Sequence, residues 1–297
     1  MNPPSRLTFV VIPLIGGAAL ERCIAALRGT PAPIMVVGRL GAGLEQSLRS
    51  RGLTTIESDA PVPRRRAIGA AAADTEWISF CEDSCVIGPT WYPSFETLLP
   101  LRESDAWSGP IEIDADLPPR CAALAALEYG EFGAGRWTRL ATAPGSAWRP
   151  VRRLAGLNLL YRAAALPTPA PPEGLIETEV NERASAQGRP LAMHPGLAVT
   201  YSGADLSGAS LASRHAHGRI YGGGLRARLP ALSRALAVVK CAALPLVLTA
   251  RGFAGLPSKH RGNIVTLAWL AGFAIAWSVG EATGLLLGRG TSIEAWR

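Results

Sequence analysis

Four short runs that read as strands, spaced by three stretches of helical periodicity, constrain this chain more than any other feature. The runs are Leu7–Ile12, residues 34–37, Thr54–Glu57 and residues 77–81. Each is short and rich in β-branched or aromatic residues, and the first stops at Pro13, which suits buried strands. Between them, residues 18–28 set Leu20, Cys23, Ile24 and Leu27 at helical spacing. Residues 44–51 read as a second helix, and the alanine-rich residues 64–73 as a third. Strand and helix alternating at this rhythm predict an α/β fold with a mostly parallel sheet. Strands this apolar need helices on both faces.

After Pro89 the rhythm changes. The pattern predicts a helix over 91–99, a strand over 107–113 and a helix over 120–132. An irregular loop is expected over 133–155, then an apolar segment over 155–162 with Asn158 at its centre. A polar amphipathic helix over 176–187 stops at Gly188, and short strands are expected over 191–193 and 198–201.

The last third is of another kind. Residues 229–249 are mostly apolar but carry Arg234, Lys240 and Pro245, which predicts an interfacial helix. Residues 264–287 form a run long enough to cross a bilayer, for which roughly 20 residues suffice. A hairpin of two spans would put one of two basic groups outside: Arg226, Arg228 and Arg234, or Arg251, Lys259 and Arg261. One in-plane helix and one later span keep both groups cytoplasmic, so the expected location is the cytoplasmic face of the inner membrane. The alternative is two buried helices of a soluble domain. The expected division is a catalytic domain over 1–205, a basic linker helix over 206–228 and a membrane-associated tail over 229–297.

The net charge of +7 and pI near 9.6 suit anionic partners: nucleic acid, anionic lipid or phosphorylated substrates. The acids fall mostly between residues 45 and 182 and the C-terminal third is basic, which favours a membrane or phosphate surface. With 6% aromatic residues and no aromatic-basic repeat, no nucleic-acid partner is expected. Five scattered cysteines make no disulfide framework and point to a reducing compartment. Cys81 and Cys85 have no second pair to complete a zinc site. The N-terminus has no pattern of a cleaved signal peptide.

The chemistry begins where the fourth strand ends. Residues 78–85 read ISFCEDSC, an apolar run stopping at Glu82 and Asp83. Open α/β sheets bind ligands at the carboxyl ends of their strands, so these acids are placed either to hold a cation or to face solvent.

Four stretches, in this order and spacing, resemble family 2 glycosyltransferases. VVIPLIGGAALERCIAAL (10–27) looks like their opening strand, Pro turn and first helix. RRRAIGAAAADTEWISFCEDS (64–84) looks like their Arg-x-x-Gly helix and the strand into the acidic motif. LAGLNLLYR (154–162) looks like their Gly-x-Asn acceptor-side segment, and EGLIETEVNERASAQGRPLAMHPGLAVTY (173–201) like their catalytic helix and following strands. The segment WSVGEATGLLLG (277–288) is similar to the tails of membrane-associated members.

The resemblance implies a GT-A fold, with a mixed, mostly parallel sheet flanked by helices. It implies inverting transfer of a sugar from a nucleotide-sugar donor to an acceptor hydroxyl; the tail, which brings the site to a bilayer, points to a lipid-linked or surface glycan precursor as acceptor. Glu82, Asp83 and Ser84 take the place of the acidic motif, usually Asp-x-Asp, that holds divalent Mg or Mn against the diphosphate. Arg66, three residues before Gly69, would hold the diphosphate. Pro13 lies near the nucleotide base, and Asn158 would line the acceptor side. Glu177 would be the general base, with Glu179 its alternative; acids in a first helical turn also simply suit the helix dipole. Arg64 and Arg65 read equally well as facing solvent, and a surface Arg triplet is the alternative for all three.

Two departures stand out. Leu14-Ile15-Gly16 replaces the usual polar residues after Pro13, and Gly38-Arg39 stands where the second strand normally ends in Asp. They leave three readings open: an altered donor, a donor held by backbone and Asp59, or a degenerate transferase kept as a membrane scaffold. A nucleotidyltransferase is disfavoured by the missing Gly-rich, Lys-containing start. His215 and His217 point to different helix faces and make a poor metal pair. Gly222-Gly223-Gly224 reads as a hinge.

Overall fold

A computed structural model of the 297-residue chain describes residues 5–101, 103–133, 148–188, 190–203 and 210–296. Most of the loop expected over 133–155 therefore lies outside the described residues. By packing, the chain divides into two compact units. The first comprises residues 1–112 and 134–203, the second residues 113–133 and 204–297. Residues 113–133, read from sequence as part of the catalytic domain, group with the C-terminal helices. The helix read as a linker is a full member of that second unit.

The first unit opens as the alternation predicts: β1 (Leu7–Ile12), α1 (Gly17–Leu27), β2 (Ile34–Gly38), α2 (Gly41–Ser50), β3 (Thr54–Glu57), α3 (Val62–Ala72) and β4 (Trp77–Glu82). Then come β5 (Cys85–Ile87), α4 (Trp91–Leu98), β6 (Ala106–Ser108) and β7 (Ile111–Ile113). The single strand expected over 107–113 is two strands, broken at Gly109 and Pro110. In the second unit α5 is Pro119–Tyr129; the first unit resumes with β8 (Arg149–Val151), β9 (Asn158–Arg162), α6 (Glu177–Ala186), β10 (Leu191–Met193) and β11 (Val199–Tyr201).

The main sheet has eight strands in the order β3-β2-β1-β4-β9-β6-β10-β8, and a small second sheet has the order β5-β11-β7. β1 pairs in parallel with β2 and β4, and β2 with β3. β9 enters antiparallel between β4 and β6, which makes the sheet mixed. Every residue of β1, β2 and β4 is buried, as strands sandwiched between helical layers must be. Trp91 packs on Phe9 and Phe95, fixing α4 against this core. Gly69 lets α3 approach β1 closely, since a Cβ there would collide with the Val10 side chain.

The second unit is helical. After α5 it contains α7 (Leu211–Arg228), α8 (Ala231–Lys240), α9 (Leu244–Gly255), the short α10 (Ser258–Arg261) and α11 (Ile264–Leu287). The first apolar run of the tail is thus two helices, α8 and α9, bent by 60°. α11, at 24 residues, is long and apolar enough to cross a membrane. The Gly-rich stretch at 222–224 lies inside α7 and is no hinge. A Cβ on Gly218 or Gly222 would collide with backbone at Trp277 or Glu281, and one on Gly280 or Gly284 with backbone at His215 or Arg219. Glycines on both helices therefore bring the two backbones into direct contact.

Candidate active site

The carboxyl end of β4 explains how adjacent acids come to do different work. Successive strand residues face opposite ways, and Glu82, the last residue of β4, sits beside Ile12 at the end of β1. Its carboxylate turns toward α3, where Arg66 Nη2 donates to Glu82 Oε1 at 3.2 Å. Asp83 turns the other way, into the β1–α1 loop. Its two oxygens accept from the backbone N–H groups of Leu14 (2.9 Å), Ile15 (3.0 Å) and Gly16 (2.6 Å). The loop bends through Gly16 at φ 73°, where L side chains are strained. Burial pushes the Asp83 carboxyl above its ordinary range, and the N–H bonds from Leu14, Gly16 and Ile15 oppose that rise only in part.

Arg66 is the hub. It is 1% exposed, and its Nη1 donates to Glu177 Oε2 at 2.7 Å. Its Nη2 also donates to the carbonyl of Gly156 at 3.1 Å. Burial opposes the charge on Arg66, but Glu177 and Glu82 outweigh it and hold the guanidinium pKa above normal. Glu177 opens α6 and keeps partial solvent exposure. Gly156 leaves room at this junction: a Cβ there would lie 3.2 Å from Glu177 Cδ and 3.3 Å from Arg66 Nη2. A further layer holds α6 in place. Tyr161 on β9 donates its hydroxyl to Asn181 Oδ1 at 2.6 Å, and Leu175 N–H donates to the carbonyl of Pro63 at 2.8 Å.

So the structure brings together Arg66, Glu82 and Glu177, three residues far apart in sequence. The other expected residues lie differently. Glu179 shares the first turn of α6 with Glu177 but, two residues on, does not share its direction. Asn158 is buried, with Oδ1 accepting from Trp91 Nε1 (3.3 Å) and Nδ2 donating to the Leu197 carbonyl (2.8 Å). Those bonds tie β9 to α4 and to the turn before β11. Gly69 is a packing residue under α3, and Asp59 is exposed beyond β3. Ser84 is buried, its Oγ 3.8 Å from Cys85 Sγ.

Of the two arginines whose exposure the sequence leaves open, Arg65 does not face solvent. It is buried, with Nε donating to the Ala60 carbonyl (2.7 Å) and Nη1 to the Pro13 carbonyl (3.2 Å). Arg64 is exposed and donates to the Pro172 carbonyl. The missing acid at Gly38 also gains a physical reason. A Cβ at Gly38 would lie 2.5 Å from Pro13 Cγ, so an aspartate there would collide with the Pro turn. The acid in register with Gly38 is Glu57 on β3, whose Oε2 accepts from Leu40 N–H at 2.9 Å.

The residues present do not fit a divalent cation. Both oxygens of Asp83 hold backbone, Ser84 is buried, and Glu82 already faces a cation in Arg66. No group of three His, Cys, Asp or Glu suited to a metal ion occurs among the described residues. The cysteines nearby are no substitute: burial pushes the Cys81 thiol up to about 12 and the Cys85 thiol well above its ordinary value.

No protein-family profile matches the chain, and no curated protein matches it. Solved structures do. The mannosyltransferase PcManGT from Pyrobaculum calidifontis, in complex with GDP-Man and Mn²⁺, superposes with a TM-score of 0.58 at 13% identity. That match covers 96% of this chain and 88% of PcManGT. GalNAc-T7 with UDP, GalNAc and Mn²⁺ gives a TM-score of 0.49 at 14% identity, over 65% of this chain and 42% of that one, so the chain spans less than half the length of that protein. The likeness to PcManGT is one of fold: this chain has a GT-A-like fold with a C-terminal apolar helix.

Proposed function

We propose that the chain is an inverting glycosyltransferase of the family 2 kind, moving a sugar from a nucleotide-diphosphate sugar to an acceptor hydroxyl. The observation that carries this reading is the junction of Glu177, Arg66 and Glu82 at the carboxyl end of a GT-A-like sheet. Glu177 is the part-exposed carboxylate of the three and serves as general base. It takes the proton from the acceptor hydroxyl as that oxygen attacks the anomeric carbon. The bond to the diphosphate oxygen breaks on the opposite side, and the electron pair leaves with the nucleoside diphosphate. A positioned base contributes roughly 10²–10⁴-fold. Arg66 orients Glu177 through its 2.7 Å bond. Divalent-metal assistance was expected from the resemblance, but the donor set does not fit it, and these steps use the chain's own groups alone. The acceptor is a glycan or lipid-linked precursor at the cytoplasmic face of a membrane, a reading that rests on the apolar, basic tail.

One observation favours a second reading, a degenerate transferase kept as a membrane scaffold. The two Nη groups of Arg66 are taken up by the chain's own acids, and Asp83 is held by its own loop. The two readings separate in calorimetry with a panel of nucleotide sugars, with and without Mn²⁺. Binding of one donor, with turnover lost in Glu177→Gln, supports the transferase. No binding across the panel supports the scaffold, for which deletion of 229–297 abolishes a cellular glycan phenotype that Glu177→Gln leaves intact.

A further inference from the structure

Every exposed large hydrophobic side chain among the described residues lies between Leu211 and Leu287. They form faces, not scattered points. On α8, Leu232, Leu236 and Val239 recur at helical spacing, with Leu232 75% exposed. On α9, Leu246 and Val247 are open, and on α11 Val265, Ile275, Val279 and Leu286 make a stripe from one end to the other. An open groove lined by Leu211, Ile264, Val265, Ala268, Trp269 and Gly272 continues that stripe onto α7. Residues 204–297 also carry eleven Lys and Arg against three Asp and Glu, a surplus of eight that exceeds the +7 of the whole chain.

Length alone lets α11 cross a bilayer; its neighbours argue against it. α7 runs alongside in the same direction, from Leu211 near Gly272 to Arg226, whose Nη1 donates to the Leu285 carbonyl at 3.3 Å. The glycine seam locks the two backbones together, so α7 would have to enter with α11. It would bring Arg214, His215, His217 and Arg219 with it, beside Glu281 of α11 itself. Arg214 is ion-paired to Glu128 of α5, and α5 sets Arg120 4.6 Å from the Trp269 ring. Charged groups thus flank α11 along both halves, and each is costly in hydrocarbon.

We propose that the second unit is a monotopic anchor. α8, α9 and the open stripe of α11 lie in the plane of an anionic bilayer surface, and α11 does not cross it. The basic surplus meets the headgroups, with Lys240 on α8 flanking its apolar face. In-plane helices with an apolar face and basic flanks bind in this way, and their attraction to anionic lipid falls with salt.

The test uses the full chain and vesicles of phosphatidylcholine with and without phosphatidylglycerol. Flotation should show at least tenfold tighter binding with the anionic lipid, weakened by salt, and at least tenfold loss for the double variant Leu232→Asp, Leu236→Asp, whose side chains are exposed and outside any core. Single cysteines at Gly262→Cys and Thr291→Cys then flank α11, against a background of five buried native thiols. In sealed inverted vesicles, a membrane-impermeant maleimide should label both positions from the same side. Labelling from opposite sides would establish a span and overturn the proposal. So would failure to bind either vesicle, which would mean that the apolar faces are covered by protein instead.

Discussion

The two units treat charge and apolar surface in opposite ways. The first buries its critical charges and, among the described residues, shows no exposed large hydrophobic side chain. Its Arg66, Glu82, Asp83 and Arg65 are all buried, and hydrogen bonds from other elements reach each of them. The second unit exposes its apolar side chains and gathers the positive surplus. Both use glycine for close approach, but to different ends. Gly69 and Gly156 make room for a sheet and a site, whereas Gly218, Gly222, Gly280 and Gly284 weld two helices. A sheet core can pre-form polar chemistry because its strands fix where side chains point; a helical layer with one face left open is suited to a soft, extended partner.

The comparison breaks most sharply at Arg66. Arg66→Ala leaves Glu82 and Glu177 facing each other without their cation, and should cost about 3–5 kcal/mol in urea unfolding. A loss under 1 kcal/mol would mean that the ion pairs do not organise the first unit. The second unit should break at its seam. Gly222→Leu drives a side chain into the backbone at Glu281, and about 2–3 kcal/mol of stability should go, along with vesicle binding. Unchanged vesicle binding would show that α7 and α11 act separately.

Asp83→Ala strands the N–H groups of Leu14, Ile15 and Gly16, and should cost about 2 kcal/mol. Added Mn²⁺ should not restore what is lost, because Asp83 holds a loop. Rescue of the wild-type melting temperature by Mn²⁺ in the native chain but not in this variant would instead make it a metal ligand.

The smallest effect concerns pH, and its sign differs between units. In the second unit, burial opposes ionisation of Glu128, yet Arg214 and His217 hold its carboxyl below the ordinary 4.5. That stability is present above pH 4.5 and is lost as pH falls through the lower folded value. In the first unit Asp83 is raised above its ordinary 3.8, so its ionisation in the folded state works against stability as pH rises from there. Urea midpoints from pH 6 down to pH 3.5 should fall less steeply in Glu128→Gln than in wild type. An identical slope would remove Glu128 from the account.

Much of the first unit was legible because its signals are local. The strands at 7–12, 54–57 and 77–82 and the helices between them announce themselves by periodicity, whereas Arg66, Glu82 and Glu177 stand out only through the resemblance to family 2 glycosyltransferases. What was not legible depends on long-range geometry. Nothing near Arg65 reveals that its guanidinium turns under Pro13, and nothing near Asp83 reveals three waiting N–H groups. The regrouping of 113–133 with the tail depends on pairs such as His260 with the Ala115 carbonyl, 145 residues away. The Gly-rich stretch in α7 looked like a hinge because glycine favours turns; the facing glycines of α11 made it a seam.

The central claim is that Glu177, held by Arg66, acts as the base of a sugar transfer. Its most direct measurement is nucleoside diphosphate release by the full chain, supplied with a panel of nucleotide sugars and lipid-linked or soluble glycan acceptors. Acceptor-dependent release from one donor is expected in wild type, with a loss of about 10²–10⁴-fold in Glu177→Gln while donor affinity changes little. Release that is equal in wild type and Glu177→Gln would contradict the account.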